Sequence, residues 1–339
     1  MENYDIDLII PWVDGNDPEW IKEFNKFTPN AKRNVDIRNE RYQDYGLLKY
    51  LFRGIEQNLP WVRKIHFITC GQKPDWLNIN CPKLNWVRHC DYIPEDCLPV
   101  FSANPIELCL HRIPDLAEHF IYFNDDIFIT KKTKIDYFFK NGQPCDYASF
   151  TTLNPHKKFC RIPHIVLNDI IEINKNFNIN SIRNKYFTKW FSLKTPKHFI
   201  KNVLSIHYKC VPSISIRHFA IPYLKSTYIE VWNKCPEVLN NTIHNRFRNI
   251  YEDVNQWLFR YWQLCSGTFV PKANYKHEKM IRLSNWTKKN SLELIKNKYN
   301  IICINDDTDE KQDTNFKEIF SEIDKCFNFL FPNKSSFEL

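Results

Sequence analysis

Three short apolar runs in this chain stop abruptly at clusters of Asp and Asn, a layout that constrains the fold more than any other feature. Ile6 to Trp12 gives way to Asp14-Gly15-Asn16-Asp17-Pro18, Phe120 to Phe123 to Asn124-Asp125-Asp126, and Ile301 to Ile304 to Asn305-Asp306-Asp307. Short apolar runs bounded by turn formers read as buried strands, and Lys64 to Thr69 adds another. Between them lie stretches of helical period. Leu47, Leu48, Leu51 and Ile55 recur within Asp44 to Asn58, with Pro60 as the stop. Asn104-Pro105 opens a helix with Pro at its first position and Ile106, Leu110 and Ile113 along one side. Two further helices are expected from Pro222 to Leu239 and from Glu252 to Cys265, the latter stopped by Gly267. Strands alternating with helices predict an α/β fold with a mostly parallel sheet. Such sheets collect ligands outside the carboxyl ends of their strands, so the acidic clusters are candidate site residues. Residues 151–216 are rich in Asn, Lys and His with weak periodicity and read as an inserted subdomain. Residues 1–150 and 217–339 are then the two parts of the core.

The six glycines, at 15, 46, 54, 71, 142 and 267, allow neither a G-x-G-x-x-G turn nor a P-loop. A phosphate-handling site here must therefore neutralise charge with a metal ion and arginines rather than with a glycine-rich cradle. The net charge is +8, but 47 basic residues are interleaved with 39 acidic ones, which argues against a nucleic-acid arm. A diffuse basic surface suits polyanions or anionic lipid, or is simply a solvated face. The twelve cysteines include no C-x-x-C pair and read as mostly reduced thiols. The opening MENYDIDLIIPWVDG lacks the pattern of a signal peptide, and no window is apolar enough to span a bilayer, so a cytoplasmic protein is expected.

Asn124-Asp125-Asp126 offers hard oxygen ligands at a strand end, suited to Mg²⁺ or Mn²⁺ against a diphosphate. Its alternative is an Asx turn or helix cap. Asn305-Asp306-Asp307 repeats the layout, and the two runs are candidates to converge on one ion. His218, in RHFAIPYLK, is a candidate general base, although a lone His is more often structural. His244, Arg246 and Arg248, in HNRFRNIYED, form a compact cationic patch suited to forked phosphate contacts, or a solvated helix start. Arg41, Asp44 and Arg53 flank the first predicted helix as donor-binding residues or as ordinary ion pairs. Trp257, Tyr261 and Trp262 recur at helical spacing and read as core.

Four blocks, taken in order, resemble the Stealth family. They are DLIIPWVDGNDPEW; RYQDYGLLKYLFRGIEQNLPWVRKIHFITCGQKPDWL through FSANPIELCLHRIPDLAEHFIYFNDDIFIT; HFAIPYLKSTYIEVWNKCPEVLNNTIHNRFRNIYEDVNQWLFRYWQLCSG; and ICINDD with the ending FPNKSSFE. That family includes bacterial capsule polysaccharide phosphotransferases and the catalytic subunit of the eukaryotic lysosomal-enzyme N-acetylglucosamine-1-phosphotransferase. The resemblance implies a Rossmann-like or GT-A-like core. It also implies transfer of a sugar-1-phosphate from a UDP- or CDP-sugar to a glycan or polysaccharide hydroxyl, with UMP or CMP released. By matching position it marks Asp14, Asp125, Asp126, His218, Arg246, Arg248 and Asn305 as site residues. Tyr45 departs from the family pattern, where many relatives have Asn or Trp. Residues 151–216 match only bacterial members, around Lys189 to Phe191, which favours a role in capsule or cell-surface polysaccharide synthesis. The partners implied are a nucleotide-sugar donor and a polysaccharide acceptor, with any contact to the membrane or the capsule assembly machinery peripheral. The competing expectation is a metal-dependent glycosyltransferase that attacks the anomeric carbon and releases a nucleoside diphosphate.

Overall fold

The computed structural model describes residues 4–28, 42–154, 161–307 and 316–339. Its centre is strand β1, Ile6–Pro11, almost wholly buried and followed by helix α1, Pro18–Phe27, which Asp17 caps by accepting from the Trp20 amide at 2.8 Å. Helix α2, Leu48–Asn58, leads to β2, Ile65–Thr69, and β3, Leu84–Arg88. Helix α3, Ala103–Leu108, precedes β4, His119–Tyr122, and β5, Ile127–Ile129. A small hairpin, β6 Phe139–Lys140 and β7 Gln143–Asp146, comes next. Four helices occupy the segment read as an insertion: α4 Arg161–Asn176, α5 Ile179–Lys185, α6 Phe187–Trp190 and α7 Pro196–Leu204. Strand β8, Ile221–Leu224, is followed by α8 Lys225–Lys234, α9 Pro236–Ile243 and α10 Trp257–Cys265. The chain ends with β9 Val270–Pro271, β10 Glu278–Arg282, α11 Lys288–Ile295, β11 Ile301–Asn305 and α12 Phe316–Leu330.

The main sheet has the order β3-β2-β1-β4-β8, parallel throughout except for the antiparallel edge strand β8. This is the mostly parallel α/β sheet expected from the alternation of strands and helices. A second sheet, β10-β11-β5, pairs β11 parallel to β10 and antiparallel to β5, and so brings the third apolar run beside the chain that leaves Asp126. A third sheet joins β6, β7 and β9. One core cluster holds Ile9, Phe120 and Tyr122 of the main sheet with Val166 and Ile170 of α4 and with α8 to α10. The other holds Leu8 and Ile10 with α2, β5, β11 and α12. Alternate residues of β1 thus feed two cores, as the two-residue side-chain period of a strand requires.

Several boundaries differ from the sequence reading for identifiable reasons. Ile221–Leu224 is a strand and not the start of a helix, because its buried residues zip antiparallel against β4, with Pro222 tolerated on an edge strand. The predicted Pro222–Leu239 helix is further divided at Cys235-Pro236, where Pro opens α9. Ser102 caps α3 in place of Asn104, accepting from the Asn104 amide at 3.3 Å. Glu252 to Gln256 precede α10 rather than belong to it. Gly267 does terminate α10, at φ 73° and with its N–H on the Leu264 carbonyl at 3.2 Å. Trp257, Tyr261 and Trp262 are core residues as expected.

Candidate active site

A cleft of about 1200 Å³ opens at the carboxyl ends of β1 and β4. Its walls include Trp12, Asp44, Asn124, Asp125, Asp126, His218, Arg248, Arg282, Asn305 and Asp306, so four distant parts of the sequence meet here. Both apolar-then-acidic runs, 124–126 and 305–307, line it, because the Ile304 amide donates to the Asp126 carbonyl at 2.9 Å. Within the second run the roles divide. Asp307 accepts from the Ser284 amide at 2.9 Å and from its hydroxyl at 2.7 Å, fixing a turn, while the Tyr45 hydroxyl donates to Asp306. Tyr45, the position that departs from the family pattern, thereby joins the second conserved block to the fourth.

Asp126 is the best-defined centre. Its Oδ2 lies 3.2 Å from His218 Nε2 and 3.3 Å from Cys303 Sγ, while its Oδ1 is buried and has no protein partner among the described residues. Asp125 is held protonated up to about 7, because burial and the charges of Asp126 and Asp44 all oppose its ionisation. Asp44 is itself raised, first by burial and also by Asp14. Burial disfavours the imidazolium of His218, but Asp126 more than offsets it and lifts the His218 pKa above its ordinary value. A carboxylate pair facing a third acid, with one buried oxygen left bare, is a donor set that a small hard cation satisfies. The Cys303 thiol is pushed well above its ordinary range, by burial first and then by Asp126, so it remains a neutral S–H donor rather than a thiolate ligand. Asp126, with its bare buried Oδ1, and Asp125 beside it are thus the residues that would hold Mg²⁺ or Mn²⁺, and Asn305 lines the same cleft.

The other candidates disperse. Asp14 lies just outside the lining, with its Oδ1 on the Asn16 amide at 2.9 Å, and acts on the site through its charge on Asp44. Arg248 lines the cleft and draws on the carboxylates of Glu107 and Asp253. Arg246 does not line it: its guanidinium donates to the Leu98 carbonyl at 3.1 Å and covers the Phe27 ring at 5.0 Å. His244 pairs with Asp96 at 3.2 Å, so the compact cationic patch read from HNRFR is in fact three side chains with three different destinations. Arg53 does not line the cleft; it grips Glu338 through two bonds, of 2.8 and 2.6 Å, the ordinary ion pair that the sequence also allowed. Arg41 lies outside the described residues.

The sequence reading missed Glu107, Arg282 and Cys303. Glu107 is buried on the cleft wall, accepting from the Tyr122 hydroxyl at 2.9 Å and from Gln256 Nε2 at 3.0 Å, and burial raises its pKa. Its one signal was an acid placed between Ile106 and Leu108 in a helix that otherwise buries apolar groups. Arg282 ends β10 in register with Asn305, a pairing that no local pattern announces.

Two family models match this chain: Stealth protein CR1, conserved region 1, over residues 4–31, and Stealth protein CR2, conserved region 2, over residues 41–146. Over its whole length the chain is 40% identical to the capsular polysaccharide phosphotransferase WcwK of Streptococcus pneumoniae, covering 99% of that protein. The chain belongs to the Stealth family. It is 37% identical to the receptor polysaccharide phosphotransferase WefC of Streptococcus gordonii, with 98% of this chain and 99% of the relative aligned. It is 33% identical to the exopolysaccharide phosphotransferase cps2G of Lactiplantibacillus plantarum, with 99% of this chain and 96% of the relative aligned. This Stealth protein is a phosphotransferase, and the cleft, which takes residues from both matched regions, is its candidate active site.

Proposed function

We propose that this Stealth enzyme acts in the synthesis of a capsular or exported polysaccharide, moving a sugar-1-phosphate from a UDP- or CDP-sugar onto a glycan hydroxyl. The observation that carries the reading is the pairing, in one large cleft, of an acidic wall at Asp125 and Asp126 with arginines at 248 and 282 and with His218 between strand ends. A divalent cation held by Asp125 and Asp126 would supply neutralisation of the donor diphosphate. The acceptor oxygen bonds to the sugar-side phosphorus, the bridging P–O bond breaks, and the nucleoside monophosphate leaves with that electron pair. His218, oriented by Asp126, whose Oδ2 lies 3.2 Å from its Nε2, takes the hydroxyl proton. Arg248, anchored beside Glu107, orients phosphoryl oxygens, so positioning and electrostatics provide most of the acceleration. We place this reaction in the cytoplasm; no described helix is long and apolar enough to cross a membrane.

Mass spectrometry of products from a panel of UDP- and CDP-sugars tests the reading. UMP or CMP, formed together with a phosphodiester, is the expected result, whereas UDP or CDP would identify a glycosyltransferase instead. In the same assay His218→Ala should lower kcat by roughly 10²–10⁴-fold, the usual worth of a general base.

A further inference from the structure

Seven of the eighteen large apolar side chains that stand exposed among the described residues fall between Phe187 and Tyr208. Leu193 is 80% exposed, Leu204 73% and Ile200 60%, which is unusual for aliphatic groups in one short stretch. Helix α7 shows how they are arranged. His198, Phe199 and Asn202 turn inward, Asn202 spanning the Ala148 and Trp190 carbonyls at 3.0 and 2.6 Å. The opposite face therefore presents Lys197, Ile200, Lys201 and Leu204, at helical spacing, to solvent. Residues 185–209 contain six lysines, and no Asp or Glu occurs anywhere from 173 to 229. Among the described residues the lysine ion pairs are those of Lys49, Lys64 and Lys175, so Lys194, Lys201 and Lys209 carry uncompensated charge, and Lys197 has only the Tyr275 ring, at 5.5 Å, and no carboxylate.

From this surface we infer that α6, α7 and the turns around them dock the enzyme on a bilayer bearing anionic lipid. Protein–protein interfaces are depleted in lysine, whereas lysines interleaved with exposed Leu and Ile mark helices that lie in the membrane interface. A second copy of the chain is disfavoured, because a self-complementary contact would bring the same lysines face to face. The apolar groups enter the headgroup boundary while the lysines meet lipid phosphates, an arrangement that needs no membrane-spanning helix. This inference is independent of the donor and of the chemistry in the cleft.

Cosedimentation with vesicles of phosphatidylcholine, with and without phosphatidylglycerol, tests it on the full chain. Binding to the phosphatidylglycerol vesicles and not to the neutral ones is expected. Lys194→Gln with Lys201→Gln should reduce partitioning by roughly fivefold for each lysine. Leu193→Ser with Ile200→Ser and Leu204→Ser should abolish it while leaving the circular dichroism melt in place, since these side chains are already in water. Failure of the wild type to bind either vesicle would overturn the inference. So would undiminished binding by the triple serine variant, which would show only diffuse attraction by a basic protein. Capture of an acidic protein, or self-association, in place of vesicle binding would assign the surface to that partner instead.

Discussion

At the scale of single residues, the cleft is organised around repulsion. Asp125, Asp126 and Asp44 oppose one another, and the protein relieves the strain by holding Asp125 protonated up to about 7. The folded state thus keeps a proton that the unfolded chain has lost. Its stabilising contribution is complete below the unfolded value of 3.8 and is lost as pH rises through about 7. Chelated enzyme should therefore lose thermal stability across that window, and Asp125→Asn should flatten the decline. Added Mg²⁺ or Mn²⁺ should raise the Tm of the wild type near neutrality, where it favours the ionised pair, and Asp126→Asn should abolish that rise. Differential scanning fluorimetry in EDTA and in metal measures both, without reference to turnover. A Tm indifferent to cation in the wild type would leave the acidic strand end as a turn.

At the scale of elements, the decisive piece is the strap from Tyr42 to Tyr45 that crosses the turn after β1. Gly15 donates its amide to the Tyr42 carbonyl at 2.7 Å, and a Cβ on Gly15 would meet that oxygen at 2.5 Å. Close backbone approach, and not turn geometry alone, demands glycine here. The strap is held from its other side by Trp20 and Phe24 of α1, whose rings pack against Tyr42 at 5.0 and 5.4 Å. Gly15→Ala should lower stability by about 1–3 kcal/mol through overpacking and should lower kcat further than the melt explains, because Asp44 and Tyr45 move with the strap. Urea titration and steady-state rates on one preparation separate the two effects; unchanged kcat in a destabilised but folded variant would show that the strap serves packing alone.

For the molecule as a whole, the ending FPNKSSFE closes the fold rather than the site. Phe337 is buried against Phe52, with ring centroids 5.3 Å apart, and Glu338 forms a two-pronged pair with Arg53 of α2. Both members of the pair are largely buried, so Arg53→Ala strands the Glu338 carboxylate. It should cost about 3 kcal/mol of stability, the lower end for a broken buried pair. Donor KM should not change, which distinguishes this tether from the donor-binding role that the sequence suggested. The two measurements are a denaturant midpoint and a KM for the nucleotide-sugar; a KM raised several-fold would return Arg53 to the site.

The sequence by itself determined the α/β class and the principal strands, because an apolar run cut short by Asp and Asn carries both the burial and the turn in adjacent residues. It also marked Asp125, Asp126 and His218, whose chemistry is local to their motifs. It missed β3, where LNWVR mixes buried and half-buried positions, and β8, where IPYL becomes a strand only by pairing with β4. Which cations reach the cleft was decided by tertiary structure alone. Arg246 and Arg248 are two residues apart and arrive on different surfaces, while Arg282 enters through its register with Asn305. Glu107 and Cys303 gain their proximity to the site in the same way, since a side chain's neighbours across a fold depend on packing and strand register that no local residue pattern encodes.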